Sequence, residues 1–560
     1  MRRWFVNRRL SLGASGLAVA GMLLAACGNG PASTTVKEGG TMTYSLDADA
    51  QTLNPFESSD VPSGRAWQFM FPNLYQFDKN LQVTPDLAEG MPQISSDKKT
   101  WTVKIRKGAK WSDGTAITAA DVVSTAQIQA SSSLDTDAAF DWSPLTDPVK
   151  GVTAKDANTV VYTLSDVFAP FLAVNLTGFI APASVYGKID PAKMRTDPSN
   201  DHPAVTGGPF RYDKRITGQE IDLVANPDYY NGKPHIARVV LKVITDTTAA
   251  AQALINGDIN WNPEVTAAAI TKVKAAQGVS SYVYPDLGYY DIRFNDRPTH
   301  LFGDINVRRA FAYALDHDSI VKAATDNGGT PLWGDIVPAM VYYDASAVVK
   351  YKQDIAKAKS LMDSAGWTVG ADGIREKGGK KFSAKFYVRA GKTQREKAVQ
   401  IMSEELRKNL GMDLQPTPTD FKVFYKPIQA GDYDLAFAGF AINPDPDDYT
   451  IFHSSQIRPE NSKSGNNWTG YVNPELDAAI VASRKEDNID ARKKLVNKVE
   501  HILGDNVVVY FMWADNVSMG FNKVQGVVPG KGDALNYIDS DRNVSEFAKF
   551  SLTSQARFAS

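Results

Sequence analysis

The first forty residues change from charged to apolar and then to small, polar positions. Four arginines and no acid stand among the first nine residues, and residues 10–26 form a 17-residue, largely apolar stretch. Residues 28–40 are small, polar and turn-forming. This order is typical of an export signal, and the segment after it has the composition of a flexible stalk. We therefore expect the folded part of the chain to begin at about Thr41.

Beyond the stalk, the spacing of apolar residues predicts short strands. Residues 41–46 alternate as a strand does, and Trp101, Val103 and Ile105 alternate with polar neighbours. Two glycine turns within 107–114, with a second short strand between them, are predicted to follow.

Caps and periodicity place two helices. Thr118 supplies a hydroxyl cap and Asp121 an acid in the first turn, where backbone N–H groups lack partners. From 306 to 316 apolar residues recur at helical spacing, which leaves Arg308 and Arg309 beside the core stripe. We expect both arginines to be solvated or ion-paired at the surface.

The chain's only cysteine, Cys27, ends the apolar segment in the run Leu-Ala-Ala-Cys. This run resembles a bacterial lipobox, in which the peptide is cut before the cysteine and the sulfur receives a diacylglyceryl group. At roughly 0.8 kcal/mol for each buried methylene, two long chains hold a protein at a membrane surface. A signal cleaved elsewhere and an uncleaved anchor are the alternatives, since this stretch approaches the roughly 20 residues that span a bilayer. The paired Arg8 and Arg9 leave Sec and twin-arginine export both open.

Charge and size narrow the class of protein. Removing residues 1–26 takes away four arginines and no acid, so the net charge falls from −2 to −6, which gives no basic face for nucleic acid. With Cys27 lipidated, no thiol remains for a disulfide, a metal or a nucleophile. The 534 residues that follow the signal exceed what one core supports, so we expect two or three domains. They contain no 18-residue apolar run, which predicts a soluble body tethered by its first residue.

The sequence carries none of the common local signatures of enzymes. The six histidines include no pair closer than 17 residues, so there is no local zinc motif. Neither a Walker loop nor a G-x-S-x-G elbow occurs after residue 26. We therefore predict a protein without enzymatic activity, cofactor or metal.

Residues 101–123 read Trp-Thr-Val-Lys-Ile-Arg-Lys-Gly-Ala-Lys-Trp-Ser-Asp-Gly-Thr-Ala-Ile-Thr-Ala-Ala-Asp-Val-Val. This segment closely resembles the signature of the family 5 extracellular solute-binding proteins, the peptide and nickel receptors of ABC importers. The resemblance covers about residues 41 to 520, in family order. The further similar blocks are 81–89, 206–210, 226–234, 306–316, 356–367, 431–436, 445–447, 452–454 and 471–477.

The resemblance implies an α/β, two-lobe periplasmic-binding-protein fold of type II, of the large three-domain peptide-binding subclass, with a cleft between the lobes. The chain would cross twice between the lobes, so that a few hinge residues permit closure. The implied divisions are a signal peptide at 1–26, a tether at 27–40, domain I at 41–68, 205–285 and 518–550, domain II at 69–204, and domain III at 286–517.

The resemblance also implies a function and its partners. The protein would be a lipid-anchored receptor at the extracytoplasmic face of the bacterial membrane, capturing a peptide or similar elongated polar solute by lobe closure. It would deliver that ligand to permease subunits driven by cytoplasmic ATPases, because a closed, loaded state docks preferentially. We expect it to act as a monomer.

One loop departs from the pattern of peptide-binding relatives. In them a loop resembling Gly-Trp-x-Ala-Asp-Tyr-Pro-Asp-Pro carries an aspartate that pairs with the ligand's α-ammonium group. Counting back from Asp445-Pro446 places Ile442 at that position, and an isoleucine cannot neutralise a buried ammonium. Asp445, Asp447 or Asp448 would do so if the loop turns differently; turn formation is their other role.

Further ligand contacts are expected from an arginine and a set of aromatic residues. Arg389 follows a predicted strand, where dipeptide-type relatives place an arginine whose planar fork grips a carboxylate; a surface salt bridge is its alternative. Lys392 and Arg395 are weaker choices. Rings that stack against ligand suit peptides and oligosaccharides equally, and core packing is the alternative for each. The aromatic candidates are Tyr289, Tyr290, Trp333, Phe440, Tyr449 and Trp468.

Two other functions stay open from the sequence. An oligosaccharide or another non-peptide solute fits the same scaffold, and His453 leaves room for nickel or a chelated metal as cargo. The second is a function other than transport: an envelope regulator or adaptor that has lost its transport ligand. The isoleucine at 442 is consistent with that hypothesis.

Overall fold

The described chain alternates strands and helices and divides into two lobes. The computed structural model describes residues 39–57, 60–78, 81–136, 142–147, 150–462, 465–525 and 557–558. The predicted signal peptide, Cys27 and most of the predicted tether lie outside these residues, as does the end of predicted domain I after 525. Among the described helices, none is long and apolar enough to cross a bilayer.

Lobe 1 contains the elements before residue 286. Its strands are β1 Thr41–Leu46, β2 Tyr75–Phe77, β3 Val83–Pro85, β4 Gln93–Ile94, β5 Thr100–Lys104, β6 Val152–Asp156, β7 Thr159–Thr163, β8 Phe210–Ile216, β9 Glu220–Ala225, β10 Arg238–Val243, β11 Trp261–Asn262 and β12 Val279–Pro285. Its helices are α1 Val61–Trp67, α2 Ala119–Gln129, α3 Phe171–Asn175, α4 Thr247–Asn256 and α5 Ala267–Ala275, with 3₁₀ turns at Tyr186–Lys188, Pro191–Thr196 and Pro198–Asn200.

Lobe 2 contains the elements from residue 288 to the middle of a long return strand. The strands are β13 Gly288–Phe294, β14 Gly329–Pro331, β15 Thr368–Val369, β16 Arg375–Lys377, β17 Lys380–Lys381, β18 Ser383–Arg389, β19 Asp413–Thr419, β20 Leu435–Ala441 and β21 Val509–Asn522; β22 Val524–Gln525 and β23 Arg557–Phe558 follow. The helices are α6 Ile305–Ala314, α7 His317–Thr325, α8 Ile355–Ser364, α9 Thr393–Leu410, α10 Phe421–Gln429, α11 Tyr449–Phe452, α12 Pro474–Lys485 and α13 Ile489–Asp505, with a 3₁₀ turn at Ser454–Gln456.

One twelve-stranded sheet runs through both lobes, and β21 connects its halves. The order is β19-β18-β20-β13-β21-β11-β1-β10-β9-β8, with β12 and β14 also paired to β21. The first part of β21 pairs with β13, as at Tyr290 and Trp513, and the second part pairs with β12, as at Tyr282 and Met519. The chain therefore crosses between the lobes within β21 and at 286–287. These neighbouring crossings give the lobes a hinge.

The local predictions at the start of lobe 1 are confirmed. β1 begins at Thr41, β5 buries Trp101 and Val103, and α2 begins after its cap Thr118 in a reciprocal box with Asp121. The second strand predicted within 107–114 is wrong: Lys110 forms only an isolated bridge with Ala116, because the next backbone hydrogen bonds, from Trp111 to Thr115 and from Gly114 to Trp111, close a turn.

Separate apolar cores fill the two lobes. In lobe 1, residues such as Met42 and Phe210 pack on the large sheet, while a second cluster built on Trp101 and Tyr162 covers the four-stranded sheet β4-β5-β7-β6. In lobe 2 the main core includes Phe311 from the predicted helix at 306–316. The presence of several cores agrees with the expectation, based on the length of the chain, of more than one domain. The domain boundaries inferred from the resemblance stay predictions.

The prediction of a surface position for Arg308 is wrong. This side chain is 3% exposed, and its guanidinium donates to the Phe302 carbonyl at 2.7 Å and to the Asn506 carbonyl at 3.1 Å. Backbone carbonyls from the neighbouring loop and from a distant part of the chain, together with Asp296 at 3.3 Å, replace the water that a buried cation loses. Arg309 is ion-paired as expected, with Asp505 at 2.9 Å.

Replacing Asp121 with alanine should destabilise lobe 1. Its buried carboxylate accepts from the Thr118 N–H at 2.8 Å and from the Ala183 N–H at 2.9 Å, so it joins the start of α2 to a distant segment. A buried charge-assisted acceptor contributes about 1.5–3 kcal/mol, and we expect that loss in urea unfolding. Asp113→Ala, in an exposed turn, is the control and should cost well under half as much; equal losses would contradict the proposed role of Asp121.

Candidate functional site

A group of cations lies in lobe 2 where β18 leads into α9. Arg389 ends β18, and Arg395 donates from Nη2 to the Tyr290 hydroxyl at 2.8 Å while its guanidinium lies 4.1 Å from the centre of that ring. Partial burial, followed by the charges of Arg389 and Arg395, lowers the pKa of Lys392. We call Arg389, Lys392 and Arg395 the basic cluster.

Lobe 1 presents a carboxylate to this cluster. Glu264 Oε1 accepts from Arg65 Nη2 at 2.7 Å, and its side chain is about half exposed whereas Arg65 is buried. The charge of Arg65, and to a smaller extent that of Lys392 in the other lobe, lowers the pKa of Glu264. Glu264 of lobe 1 thus lies near Lys392 of lobe 2, beside the crossing strand β21, whose Ser518 carbonyl accepts from the Val265 N–H at 2.6 Å. We take the interlobe region between Glu264 and the basic cluster as the candidate cleft.

The structure brings three of the predicted aromatic residues together. The Phe440 ring lies 5.0 Å from Trp468 and is stacked on Tyr289 at 6.0 Å. Tyr289 and Trp468 are buried and Phe440 is half-buried. Phe440 is therefore the most exposed member of this group.

The other predicted aromatic residues lie elsewhere. Tyr290 packs against Trp513 at 5.5 Å, beneath the basic cluster. Trp333 stacks on His317 at 4.0 Å, and Tyr449 lies against His453 at 4.4 Å. The six aromatic candidates therefore do not form one continuous surface, and their contact with a ligand stays a prediction.

Arg293 is a central residue that the sequence reasoning missed. It is fully buried, lies 3.0 Å from Asp291 Oδ2, and holds its guanidinium 4.1 Å from the centre of the Phe440 ring. The signal was present in the sequence, because Asp291 and Arg293 are charged residues two apart in an otherwise apolar strand. Such a spacing puts both on one face of the sheet. The guanidinium of Arg293, held by Asp291, packs against the Phe440 ring and supports it.

The loop after β20 holds its acids in contacts within lobe 2. Arg492 grips Asp445 through two hydrogen bonds of 2.5 Å, and Arg484 Nε lies 3.2 Å from Asp447 Oδ1. Ile442 is half-buried and its N–H donates to the Leu287 carbonyl at 3.0 Å. That bond extends the pairing of β20 with β13. The acids of the loop make their contacts with other residues of lobe 2 instead of substituting for an acid at position 442.

Asp448, the third acid of the loop, belongs to a buried carboxyl cluster with Asp335 and Glu500. The Asp335 N–H donates to Glu500 Oε1 at 3.0 Å, and the Asp335 carboxyl shares hydrogen bonds with both other carboxyls. Carboxylates only accept, so these bonds need protons. Burial first, and then the neighbouring Asp335, raise the pKa of Asp448 and of Glu500 well above the usual carboxyl range.

Comparison with known proteins identifies the family to which this chain belongs. The profile described as bacterial extracellular solute-binding proteins, family 5 Middle, matches residues 82–459. The chain belongs to this family. The oligopeptide-binding protein AppA of Bacillus subtilis is 29% identical to it over 506 residues, which are 87% of this chain and 89% of AppA.

Solved structures of family 5 proteins have the same fold. The structure of Bacillus subtilis AppA in complex with a nonapeptide superposes with a TM-score of 0.74 at 26% identity, covering 94% of this chain and 100% of AppA. NikZ from Campylobacter jejuni in complex with Ni(L-His) superposes with a TM-score of 0.74 at 22% identity, over 92% and 99% of the two chains. The two-lobe type II fold predicted from the sequence is confirmed.

Family 5 is a family of receptors for solutes and not of enzymes. Its members are extracellular solute-binding proteins, in agreement with the expectation of a protein that works outside the cytoplasm. Within the described ranges, no three His, Cys, Asp or Glu side chains are grouped to hold a metal ion.

The carboxyl cluster should make the stability of this family 5 protein depend on pH. The folded-state pKa of Asp448 and of Glu500 is raised. The contribution of these carboxyls to the free energy of unfolding is therefore full below the ordinary carboxyl pKa, and it is lost as pH rises through the raised values. In that window stability should fall by roughly 1.4 kcal/mol per pH unit for each titrating group. Urea unfolding between about pH 4 and pH 9 measures this.

Glu500→Gln should flatten that profile and raise stability at the alkaline end, because a neutral amide replaces a carboxyl that must otherwise ionise inside the protein. Glu475→Gln, at an exposed position of α12 paired with Lys498, is the matched control and should leave the profile unchanged. A wild-type stability that rises with pH through this window would contradict the prediction.

Proposed function

We propose that this protein is the receptor of an ABC importer, and that it captures a peptide or a similar elongated solute with a carboxylate group by closing its lobes. It then passes the solute to permease subunits driven by cytoplasmic ATPases. The neighbouring crossings at 286–287 and within β21 support closure, since a rotation at few residues moves one lobe against the other. A preference of the permease for the closed, loaded state gives transport its direction.

The basic cluster carries this proposal. Three cations stand together at the start of α9, and partial burial together with their mutual repulsion lowers the pKa of Lys392. A carboxylate placed among them relieves that repulsion and accepts charge-assisted hydrogen bonds. Arg389, at the end of β18, is the residue that we propose to grip it in bidentate fashion.

The loop after β20 favours a ligand that needs no ammonium partner there. Asp445 is held by Arg492, Asp447 by Arg484, and Asp448 shares hydrogen bonds with another carboxyl. The AppA complex contains a nonapeptide and the NikZ complex contains Ni(L-His), so the fold accepts different cargoes. We therefore keep a non-peptide solute with a carboxylate as the second candidate.

We further propose that Cys27 carries a diacylglyceryl anchor after removal of residues 1–26. The residues that support it are the arginines, the apolar stretch and the run that ends in Cys27. Two acyl chains suffice for stable membrane attachment. A monomer held in this way at the extracytoplasmic face stays close to its permease.

Calorimetry with three matched nonapeptides tests recognition of the carboxylate. One peptide has both termini free, one is N-acetylated and one is C-amidated. Amidation should weaken binding by roughly 10- to 150-fold, the equivalent of about 1.5–3 kcal/mol for a charged hydrogen bond, whereas acetylation should change affinity little. Arg389→Ala should weaken the free peptide by a similar factor and remove the effect of amidation.

Lys385→Ala is a control on the same strand, because its side chain is exposed. Unchanged affinity in Arg389→Ala would remove that residue from the site. Failure of all three peptides to bind, with the protein folded, would leave the non-peptide carboxylate solute as cargo.

Ile442→Asp should improve binding of peptides with a free amino terminus. The substitution restores a carboxylate at the position where peptide-binding relatives have one, and an ion pair in a partly enclosed site is stronger than one in water. The gain should appear with the free peptide and not with the N-acetylated one, measured by calorimetry. Ile442→Asn, which has a similar size without the charge, is the control; equal gains for both peptides would contradict the proposed position of this loop.

A further inference from the structure

The two lobes also touch at a place where no strand crosses between them. The end of α12 in lobe 2 meets loops that flank β5 and β7 in lobe 1. We call this contact the latch; its members are Lys98, Asp166, Phe168 and Ala169 of lobe 1 and Tyr449, Arg484, Lys485 and Asp487 of lobe 2. Since these residues lie on different lobes, a rotation at the hinge that separates the lobes breaks the contact.

A hydrogen bond and an ion pair at the end of α12 join the lobes at the latch. The Ala169 N–H donates to the Arg484 carbonyl oxygen at 2.7 Å. The ammonium of Lys485 lies 2.6 Å from Asp166 Oδ2. The two partners of each bond come from opposite lobes, so their distances report directly on closure.

A second interlobe ion pair has the opposite polarity. Lys98 of lobe 1 lies 2.6 Å from Asp487 of lobe 2, whereas at the first pair lobe 1 supplies the acid. The crossed charges specify one alignment of the lobes, because a sliding movement brings like charges together. All four side chains are about half exposed, so each pair contributes little alone and is screened by salt.

Arg484 is the most enclosed polar member of the latch. Its guanidinium lies 4.2 Å from the centre of the Tyr449 ring in lobe 2 and 4.8 Å from the centre of the Phe168 ring in lobe 1. Asp447, 3.2 Å away in lobe 2, holds the same side chain. Lobe 2 therefore orients Arg484 by itself, and closure adds the Phe168 ring as the outer half of a cation–π sandwich.

An apolar contact accompanies these polar ones. Leu81, after β2 in lobe 1, is 8% exposed and packs in a cluster whose other buried members, apart from Leu287 at the crossing, belong to lobe 2; Leu332 and Phe452 are examples. Its backbone has a left-handed φ of 60°, which costs roughly 1–2 kcal/mol for a residue with a Cβ. A turn within lobe 1 holds this conformation, since the Leu81 N–H donates to the Asp78 carbonyl at 2.9 Å. The contact of the Leu81 side chain with lobe 2 exists only while the lobes are together.

We infer that Arg484 sets ligand affinity without touching ligand, by setting the fraction of molecules whose lobes are closed. The inference rests on the proposed function in one respect, that ligand binds the closed state. Apparent affinity is then the intrinsic affinity multiplied by the closed fraction. Because of the latch, a fraction of the ligand-free molecules has closed lobes. Binding of ligand increases that fraction.

Amide hydrogen exchange of the ligand-free full-length protein tests the latch. Arg484→Ala keeps the carbonyl that accepts from Ala169, so faster exchange at Ala169 reports opening and not loss of the acceptor. A cation–π contact of an enclosed guanidinium corresponds to a factor of about 5–30 in population, and we expect acceleration of that size. Phe168→Leu, which keeps apolar volume without the ring, should give a similar change. Raising salt from about 0.05 M to about 0.5 M should give a smaller one.

Two internal controls separate opening from unfolding. The Leu164 N–H, which donates to the Lys99 carbonyl at 2.7 Å inside lobe 1, should keep its exchange rate in every variant. Arg309→Ala removes an arginine whose partner Asp505 belongs to the same lobe and should leave Ala169 unchanged. The nonapeptide with free termini should bind Arg484→Ala more weakly, by the ratio of the closed fractions that the Ala169 exchange rates of the two proteins give.

Unchanged exchange at Ala169 in both Arg484→Ala and Phe168→Leu would overturn the inference. Equal acceleration at Ala169 and Leu164 would also overturn it, since the contact would then belong to the fold of lobe 1. Because exchange is measured without ligand, failure of the peptide to bind contradicts only a peptide as the cargo and leaves the latch result standing.

Discussion

The pairing of β21 with strands of both lobes is the constraint on which the rest of the structure depends. Its first part lies against β13 and its second part against β12, so one strand fixes the two halves of a continuous sheet side by side. The other crossing, at 286–287, is adjacent. A rotation at these two crossings therefore moves the lobes together or apart without changing which strands are paired. The basic cluster and Glu264 stay on opposite lobes of the same cleft.

Buried charges in lobe 2 maintain the shape of its half of the cleft. The Asp291–Arg293 pair supports Phe440, Arg492 holds Asp445, and Asp448 shares a proton-dependent network. A buried ion pair is a poor source of stability, because desolvation opposes the attraction. These pairs instead fix the loop after β20 in one conformation, and they leave the basic cluster as the charged feature that we assign to the ligand.

The fold was predictable from local signals and from resemblance, whereas the contacts of charged residues were not. The start of β1, the alternation of β5 and the cap at Thr118 are properties of short segments, and each is confirmed. Arg308 was placed wrongly because one of the carbonyls that solvate it, that of Asn506, comes from a residue almost 200 positions away. Arg484 gave no local signal at all, since its role depends on a ring contributed by the other lobe.

The central claim is that the closed lobes enclose a solute with a carboxylate group. Native mass spectrometry of the intact protein, purified from its host without unfolding, tests it most directly. We expect a mass that exceeds that of the same protein after unfolding by one small molecule, which is released on unfolding and carries a carboxylate. A mass equal to that of the unfolded protein, or a bound molecule without an anionic group, would contradict this claim.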